Sequence, residues 1–148
     1  GKPVPNPLVQ LPPGAAGTIE IAYDDATGRR AGPFSVDFDP GRRLAAFQRD
    51  ILEQFWTSWL AFGEQGRENL VYYTHLVSHR CGLARAEIAF DDGPFAPLPL
   101  PACDVARPYE IPSGLTPWVQ APRGTRSVRA RLVYADGAAS PERRFERR

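Results

Sequence analysis

The stretch SVRARLVYADG, residues 127–137, is the clearest indicator of the fold in this sequence. Apolar side chains occupy every second position of it, at Val128, Ala130, Leu132 and Tyr134. A period of two is typical of a β-strand with one face toward a core and one toward solvent. The Asp-Gly pair that follows supplies the residues of a tight turn. The stretch therefore predicts a β-strand that ends in a hairpin turn.

Similar patterns occur elsewhere in the chain. IEIAYDD (residues 19–25) alternates in the same way and is followed by a turn and by GPFSVDF (residues 32–38), so the two segments predict a half-buried hairpin. ARAEIAF (residues 84–90) alternates as well. LVYYTHLV (residues 70–77) is rich in β-branched and aromatic residues, and this composition predicts a central strand.

One segment has the period of a helix instead. Apolar side chains recur there every three to four positions, at Leu44, Phe47, Ile51 and Phe55. Asp39 is a suitable N-cap, and Pro40 suits the first helical position. The pattern predicts one helix near residues 41–56, inserted among the strands.

The predicted elements add up to a mainly β protein. About seven to eight short strands, with turn signals at the spacing of an antiparallel β-sandwich, surround the one helix. Residues 94–122 hold eight prolines and are expected to be mostly irregular. Residues 1–16 are proline-rich and predict an extended tail or linker, which leaves residues 17–148 as a single β-sandwich domain.

Composition and charge narrow the classes of partner. The chain has 148 residues and a formal net charge of +1, so no strong positive field attracts nucleic acid. No Walker loop, Rossmann fingerprint or RNA-binding motif occurs, and no apolar run approaches the length of a membrane span. We therefore expect neither a nucleic-acid partner nor a membrane span.

The C-terminal half resembles a known class of module. EIAFDDGPFAPL (87–98) and PRGTRSVRARLVYADGAASP (122–141) are similar to immunoglobulin-like and fibronectin-III-like β-sandwich modules of bacterial secreted proteins. The matching residues are Gly124, Thr125, Val128, Arg129, Ala130, Asp136, Gly137 and Ser140. The resemblance covers about residues 84–146, and the helix of the first half departs from it. It implies an immunoglobulin-like sandwich with an accessory role in the periplasm or outside the cell, and no functional residue carries over.

HLVSHRC, residues 75–81, contains the only two histidines. On a helix, His75 and His79 would share one face, as in zinc proteases, although residue 76 lacks the glutamate of that motif. On the predicted strand they would lie about 13 Å apart, too far for one zinc ion. His79 and Cys81, joined by Cys103 and Asp104, form another candidate metal set. Imidazoles bonded to the backbone or to a carboxylate are the favoured interpretation, and no cofactor is expected.

The two cysteines allow three interpretations. A Cys81–Cys103 disulfide would close a loop of 22 residues and stabilise the fold by about 3 kcal/mol in the entropic treatment. Alternatively, Cys81 is a nucleophile activated by its basic neighbours, or both cysteines are free thiols. The disulfide is favoured because it would anchor a proline-rich segment that strand pairing cannot hold.

Aromatic side chains are the main candidates for a contact surface. Exposed aromatics on a sandwich can bind protein or sugar, and the candidates are Trp118, Tyr109, Tyr73 and Trp59. The sequence thus favours a non-enzymatic binding or accessory module that recognises a protein partner or a glycan through loops. The alternative is a small metal- or thiol-dependent enzyme with its site around His75, His79 and Cys81.

Overall fold

The computed structural model describes residues 8–12 and 14–147. Strands hold 39% of the residues and helices 19%, in three antiparallel sheets and two helices, so the mainly β prediction is confirmed. Of the predicted tail, residues 1–7 and 13 lie outside the described residues, and the remainder contains no helix or strand. Within the described part of the chain, no helix is long and apolar enough to cross a bilayer.

The first sheet is a two-stranded antiparallel ribbon. Strand β1, Gly17–Asp24, pairs with strand β2, Arg30–Phe38, as the sequence predicts. The expectation that these strands are half-buried is wrong, because the large apolar side chains of the ribbon stay open to solvent. Four of them are between 46% and 55% exposed, namely Ile21, Tyr23, Phe34 and Val36. Alternation shows that one face is apolar, but it does not supply a neighbour to cover that face.

Helix α1, Pro40–Gln54, follows β2 after a single residue. The predicted cap is present, because Oδ1 of Asp39 accepts a hydrogen bond from the amide of Arg42 at 2.9 Å. An apolar stripe normally faces the core. In α1, however, the buried side chains are Gln48 and Leu52, whereas Phe47 and the C-cap residue Phe55 are about half exposed.

Gly82 explains why the Gln48 side of α1, and not its apolar stripe, faces the core. The side-chain oxygen of Gln48 accepts a hydrogen bond from the amide of Gly82 at 3.2 Å. A Cβ on Gly82 would lie 2.9 Å from the amide nitrogen of Arg49, so only glycine lets the helix come this close. This long-range contact, rather than the stripe of apolar residues, decides which side of α1 is buried.

The remaining strands form two larger sheets. In chain order they are β3 Ala61–Gln65, β4 Glu68–Tyr72, β5 Leu83–Phe90, β6 Ala96–Pro97, β7 Trp118–Ala121, β8 Ser127–Tyr134 and β9 Arg143–Glu146. One sheet has the order β3-β4-β7 and the other the order β6-β5-β8-β9. Residues of both sheets enter one apolar cluster, for example Val71 and Ala121 from the first and Ile88 and Phe145 from the second. The predicted inward residues of β8 are all buried.

The predicted strand over residues 70–77 is only half correct. Strand β4 ends at Tyr72, and a short helix α2, Thr74–Ser78, follows with a 3₁₀ turn at Arg80–Gly82. The amide of Val77 donates to the carbonyl of Tyr73 at 3.2 Å, which is a helical bond. Leu76 and Val77 are fully buried, so the apolar composition that indicated a strand belongs here to a buried helix.

Candidate functional site

Residues 98–117 form a connection without helix or strand between β6 and β7, and we call it the long loop. One residue, Tyr73, binds the main chain near both ends of the loop. The hydroxyl of Tyr73 donates to the carbonyl of Pro99 at 3.2 Å, and the amide of Tyr73 donates to the carbonyl of Pro117 at 2.8 Å. Burial raises the pKa of Tyr73, so its hydroxyl remains a donor at neutral pH. Tyr73 is therefore a core residue that closes the loop, and its interpretation as a surface contact is corrected.

Arg80 fixes the interior of the long loop. Its side chain is only 4% exposed, and its guanidinium donates to five main-chain oxygens: Val77 at 3.1 Å, Ala102 at 2.9 Å, Arg107 at 3.4 Å, Pro108 at 3.1 Å and Glu110 at 2.9 Å. Four of the five acceptors belong to the loop. No carboxylate pairs with Arg80 in the described part of the chain. A buried cation is tolerated only when its donors are satisfied, so the loop and the cation stabilise each other.

The next residue adds a covalent tie. Cys81 and Cys103 form a disulfide with their Cα atoms 4.7 Å apart, which confirms the predicted pair. Cys81 is buried, whereas Cys103 lies at the surface of the loop. In this bond Cys81 carries no thiolate, so a thiol-based reaction at Cys81 has no nucleophile.

The two histidines lie close together because α2 is a helix. Their ring centroids are 4.4 Å apart, so the separation of about 13 Å expected for a strand is wrong. Nδ1 of His79 lies 2.9 Å from the carbonyl oxygen of His75, and Nε2 of His75 is buried without a hydrogen-bond partner. Burial lowers the pKa of His75, and the charge on His79 lowers it further. Among the residues described, no three His, Cys, Asp or Glu side chains gather where they could hold a metal ion.

Asp104, a member of one candidate metal set, has a structural role instead. Its carboxylate accepts hydrogen bonds from the amides of Ala106 at 3.0 Å and Arg107 at 3.3 Å, which closes a turn of the loop. Burial acts to raise the pKa of Asp104, but these hydrogen bonds and the charge of Arg107 outweigh it and lower the pKa. The carboxylate is thus ionised and engaged within the loop.

The exposed surface of the long loop is partly apolar. Tyr109 is 50% exposed and Ile111 is 38% exposed, and the ring of Tyr109 meets the ring of His79 edge-on at 5.9 Å. Of the other predicted contacts, Trp118 is partly buried in β7, and Trp59 is buried with its indole donating to the carbonyl of Leu52 at 2.8 Å. Trp59 is therefore a core residue, and its interpretation as a contact residue is corrected. Of the four predicted contact residues, Tyr109 is the best placed to touch a partner.

Sequence reasoning missed Ile111 and Arg80. A single isoleucine in a proline-rich segment has no periodicity that would single it out. Arginine is normally exposed, so Arg80 beside a histidine and a cysteine indicates local charge before it indicates a buried anchor. The only available signal was its position next to Cys81, which the disulfide places under the loop.

A separate groove of about 720 Å³ lies between α1 and the turn after β8. Three of its charged side chains are paired with one another, because Arg49 donates to both Glu53 and Asp136, and Arg49 also stacks over the ring of Tyr134 at 4.7 Å. Such pairing leaves these groups less available to a ligand than the apolar surface of the long loop.

No model of a known protein family, no curated protein and no solved structure matches this chain. The long loop presents a phenol and an aliphatic side chain on a backbone that is fixed by a cation, a disulfide and a buried tyrosine, and the imidazole of His79 contacts the phenol.

Proposed function

We propose that the protein is a non-enzymatic binding or accessory module that recognises a protein partner through the long loop, with Tyr109 and Ile111 as the central contacts. The observation that carries this proposal is the set of bonds from Arg80 to main-chain oxygens of a loop without regular structure. A loop that is ordered before binding loses less conformational entropy on association. Binding residues are also disproportionately found on loops held by a rigid scaffold.

The chemistry of the exposed surface favours a protein over a glycan. The exposed aromatic Tyr109 and the exposed aliphatic Ile111 are two positions apart, with Glu110 between them, and Glu110 forms an ion pair with the nearby Arg107. Tyrosine and arginine are enriched among the residues that dominate protein interfaces. A sugar ring would instead stack on an open aromatic face, whereas Tyr109 packs against His79.

The fold and compartment of this module are part of the proposal. Two antiparallel sheets that share one core are compatible with an immunoglobulin-like sandwich, and in the proposed single domain of residues 17–148 the β1–β2 ribbon adds no residue to that core. Disulfides persist in oxidising compartments, so the Cys81–Cys103 bond is compatible with a periplasmic or extracellular location. The alternative of a small enzyme around His75 and His79 has less support, because Cys81 is oxidised and a third metal ligand is missing from the described residues.

The test compares partner capture by three immobilised proteins, followed by quantitative mass spectrometry of extracytoplasmic extracts from the source organism. The three proteins are the wild type, Tyr109→Ala and a matched control, Tyr23→Ala. Each variant removes one half-exposed tyrosine. We expect a protein captured by the wild type and by Tyr23→Ala to be at least about tenfold depleted with Tyr109→Ala, as for a contact of 1.4 kcal/mol or more.

Equal capture by Tyr109→Ala and the wild type would overturn the proposal, provided that both proteins have the same unfolding midpoint. A parallel glycan array distinguishes the other class of ligand. Binding to a glycan that is lost only with Tyr109→Ala would assign the loop to sugar recognition and would contradict the preference for a protein.

A further inference from the structure

Three neighbouring rings connect α2 to the exposed surface of the long loop. The ring centroids of His75 and His79 are 4.4 Å apart, and those of His79 and Tyr109 are 5.9 Å apart. We call His75 and His79 the histidine pair. Histidine is the side chain whose charge changes most readily near neutral pH. The ring of Tyr109, the central contact residue of the loop, therefore packs against a group that can become charged.

The hydrogen bonds of the histidine pair oppose a charge on His75. Nδ1 of His79 lies 2.9 Å from the main-chain oxygen of His75, and this nitrogen donates because a carbonyl oxygen can only accept. Nε2 of His75 is buried and has no partner among the described residues. Both ring nitrogens of a charged imidazole are donors, so a charged His75 would bury a donor without an acceptor. Charging His75 therefore favours a movement of its ring out of this position.

The charged groups of the long loop do not offset a charge on the histidine pair. In the part of the chain that the structure describes, no ion pair includes a histidine. Arg107 pairs with Asp104 at 3.2 Å and with Glu110 at 3.3 Å, so these three side chains are engaged with one another. The guanidinium of Arg80 is bound to main-chain oxygens. The phenol of Tyr109 is uncharged at neutral and acidic pH.

Each imidazole is thus the charged neighbour that matters for the other. Burial lowers the pKa of His75, and the charge on His79 lowers it further. Two like charges on rings 4.4 Å apart repel each other. The arrangement is consequently stable at neutral pH, where His75 is uncharged, and is disfavoured in acid, where both rings carry a charge.

We propose that the histidine pair is an acid-sensitive switch that fixes the ring of Tyr109 at neutral pH and releases it, together with a bound partner, in acid. When the two charged rings separate, His79 no longer supports Tyr109 in one orientation. A side chain that is mobile before binding loses more entropy on association, so the affinity falls. This inference rests on the proposed function, because it concerns regulation of the same surface.

The switch acts on the side chain of Tyr109 and not on the main chain of the loop. Arg80 binds the main-chain oxygens of Arg107, Pro108 and Glu110, which surround Tyr109 in the sequence. Arginine stays charged at neutral and acidic pH, so these bonds do not titrate with the histidine pair. We therefore expect the loop to keep its main-chain order in acid while the ring of Tyr109 loses its fixed orientation.

The first test is nuclear magnetic resonance of the free, full chain from about pH 7.5 to about pH 4.5, a range that brackets the ordinary pKa of histidine. It follows the titration of each of the two imidazoles and the cross-relaxation between the rings of His79 and Tyr109. In the wild type, this ring contact should weaken at least about fivefold as His75 becomes charged. In His75→Phe, which keeps a ring but binds no proton, the contact should persist over the whole range.

The matched control measurement is hydrogen exchange of the amide of Glu110, which donates to the carbonyl of Arg107 at 3.2 Å. Its protection relative to an unfolded chain should not change while the ring contact is lost. A ring contact that survives the titration of His75 would overturn the proposal. Loss of the contact in a folded His75→Phe over the same range would also overturn it, as would simultaneous loss of amide protection. If His75→Phe does not fold, the wild-type spectra decide, since the contact must be lost with His75 and not with the carboxylates.

The second test measures release of the partner that the immobilised wild type captures at neutral pH. At the pH at which the spectra show His75 to be charged, we expect at least about tenfold more partner to leave the wild type than His75→Phe. Equal release from both would overturn the switch and leave the proposed function intact. If no captured protein depends on Tyr109, the proposed function fails, and the ring contacts of the free protein still decide whether the switch exists.

Discussion

Nη1 of Arg80 lies 2.9 Å from the main-chain oxygen of Glu110, thirty residues further along the chain. The contact joins a buried cation in the turn after α2 to the exposed part of the long loop. Among the described residues, the guanidinium bonds main-chain oxygens alone, so the hold of Arg80 on the loop does not depend on the loop's own side chains.

Replacing Arg80 by leucine should lower the free energy of unfolding by about 3 kcal/mol or more, because buried carbonyls lose charged donors. Arg80→Lys should recover less than half of the loss, because an ammonium lacks the planar fork that reaches several acceptors. Urea unfolding measures both values. The control is Arg85→Ala, whose exposed ion pair with Glu87 should be worth about 0.5 kcal/mol or less. An Arg80→Lys protein as stable as the wild type would contradict the role assigned to the guanidinium.

Removing the disulfide with Cys81→Ala and Cys103→Ser together should lower the free energy of unfolding by about 3 kcal/mol, because the unfolded chain regains the freedom of a 22-residue loop. A reducing agent should destabilise the wild type by a similar amount and leave the double variant unchanged. Two titratable thiols in the untreated native protein would be incompatible with this prediction.

Gly82→Ala should destabilise the protein by about 1–3 kcal/mol, because its Cβ would meet the backbone of α1 at 2.9 Å and push the helix outward. Gly17→Ala is the control, since an added Cβ there meets nothing within 4 Å. Thermal unfolding monitored by circular dichroism distinguishes the two. Equal midpoints for both variants would show that α1 does not pack closely on Gly82.

Stability should depend on pH through His75. Burial lowers its pKa in the folded state, so the unfolded chain binds more protons between about pH 6.5 and that lower pKa. The contribution of neutral His75 is complete above about pH 6.5 and is lost as the pH falls through that window. His75→Phe should remove this slope, as measured by urea unfolding at a series of pH values. Parallel curves for the wild type and His75→Phe across the window would refute the assignment.

Local patterns predicted the elements whose burial follows from their own sequence. The alternation of residues 127–137 gave strand β8 and its inward face, and Asp39 with Pro40 gave the start of α1. The Cys81–Cys103 pair followed from the position of a cysteine at the end of a core segment.

Features set by distant contacts were not accessible in this way. The side of α1 that is buried depends on the missing side chain of Gly82, which lies about thirty residues away. Residues 70–77 are apolar whether they form a strand or a buried helix, so composition did not distinguish the two. The strand was favoured, and its separation of about 13 Å between His75 and His79 is wrong. The apolar side chains of the ribbon are exposed and Arg80 is buried, which is the reverse of the average burial preference of these residue types. A single sequence gave no other signal for the burial of these residues.

Because Arg80 and Tyr73 bind main-chain oxygens, their hold on the long loop does not depend on which side chains its exposed part carries. Substitutions at Tyr109, Glu110 or Ile111 leave every acceptor of Arg80 in place. Natural variation or a designed library can therefore exchange the recognition surface while the frame beneath it is preserved. The molecule therefore has the properties of a display scaffold. The exposed side chains of one segment can vary, while hydrogen bonds to its main chain keep the conformation of that segment.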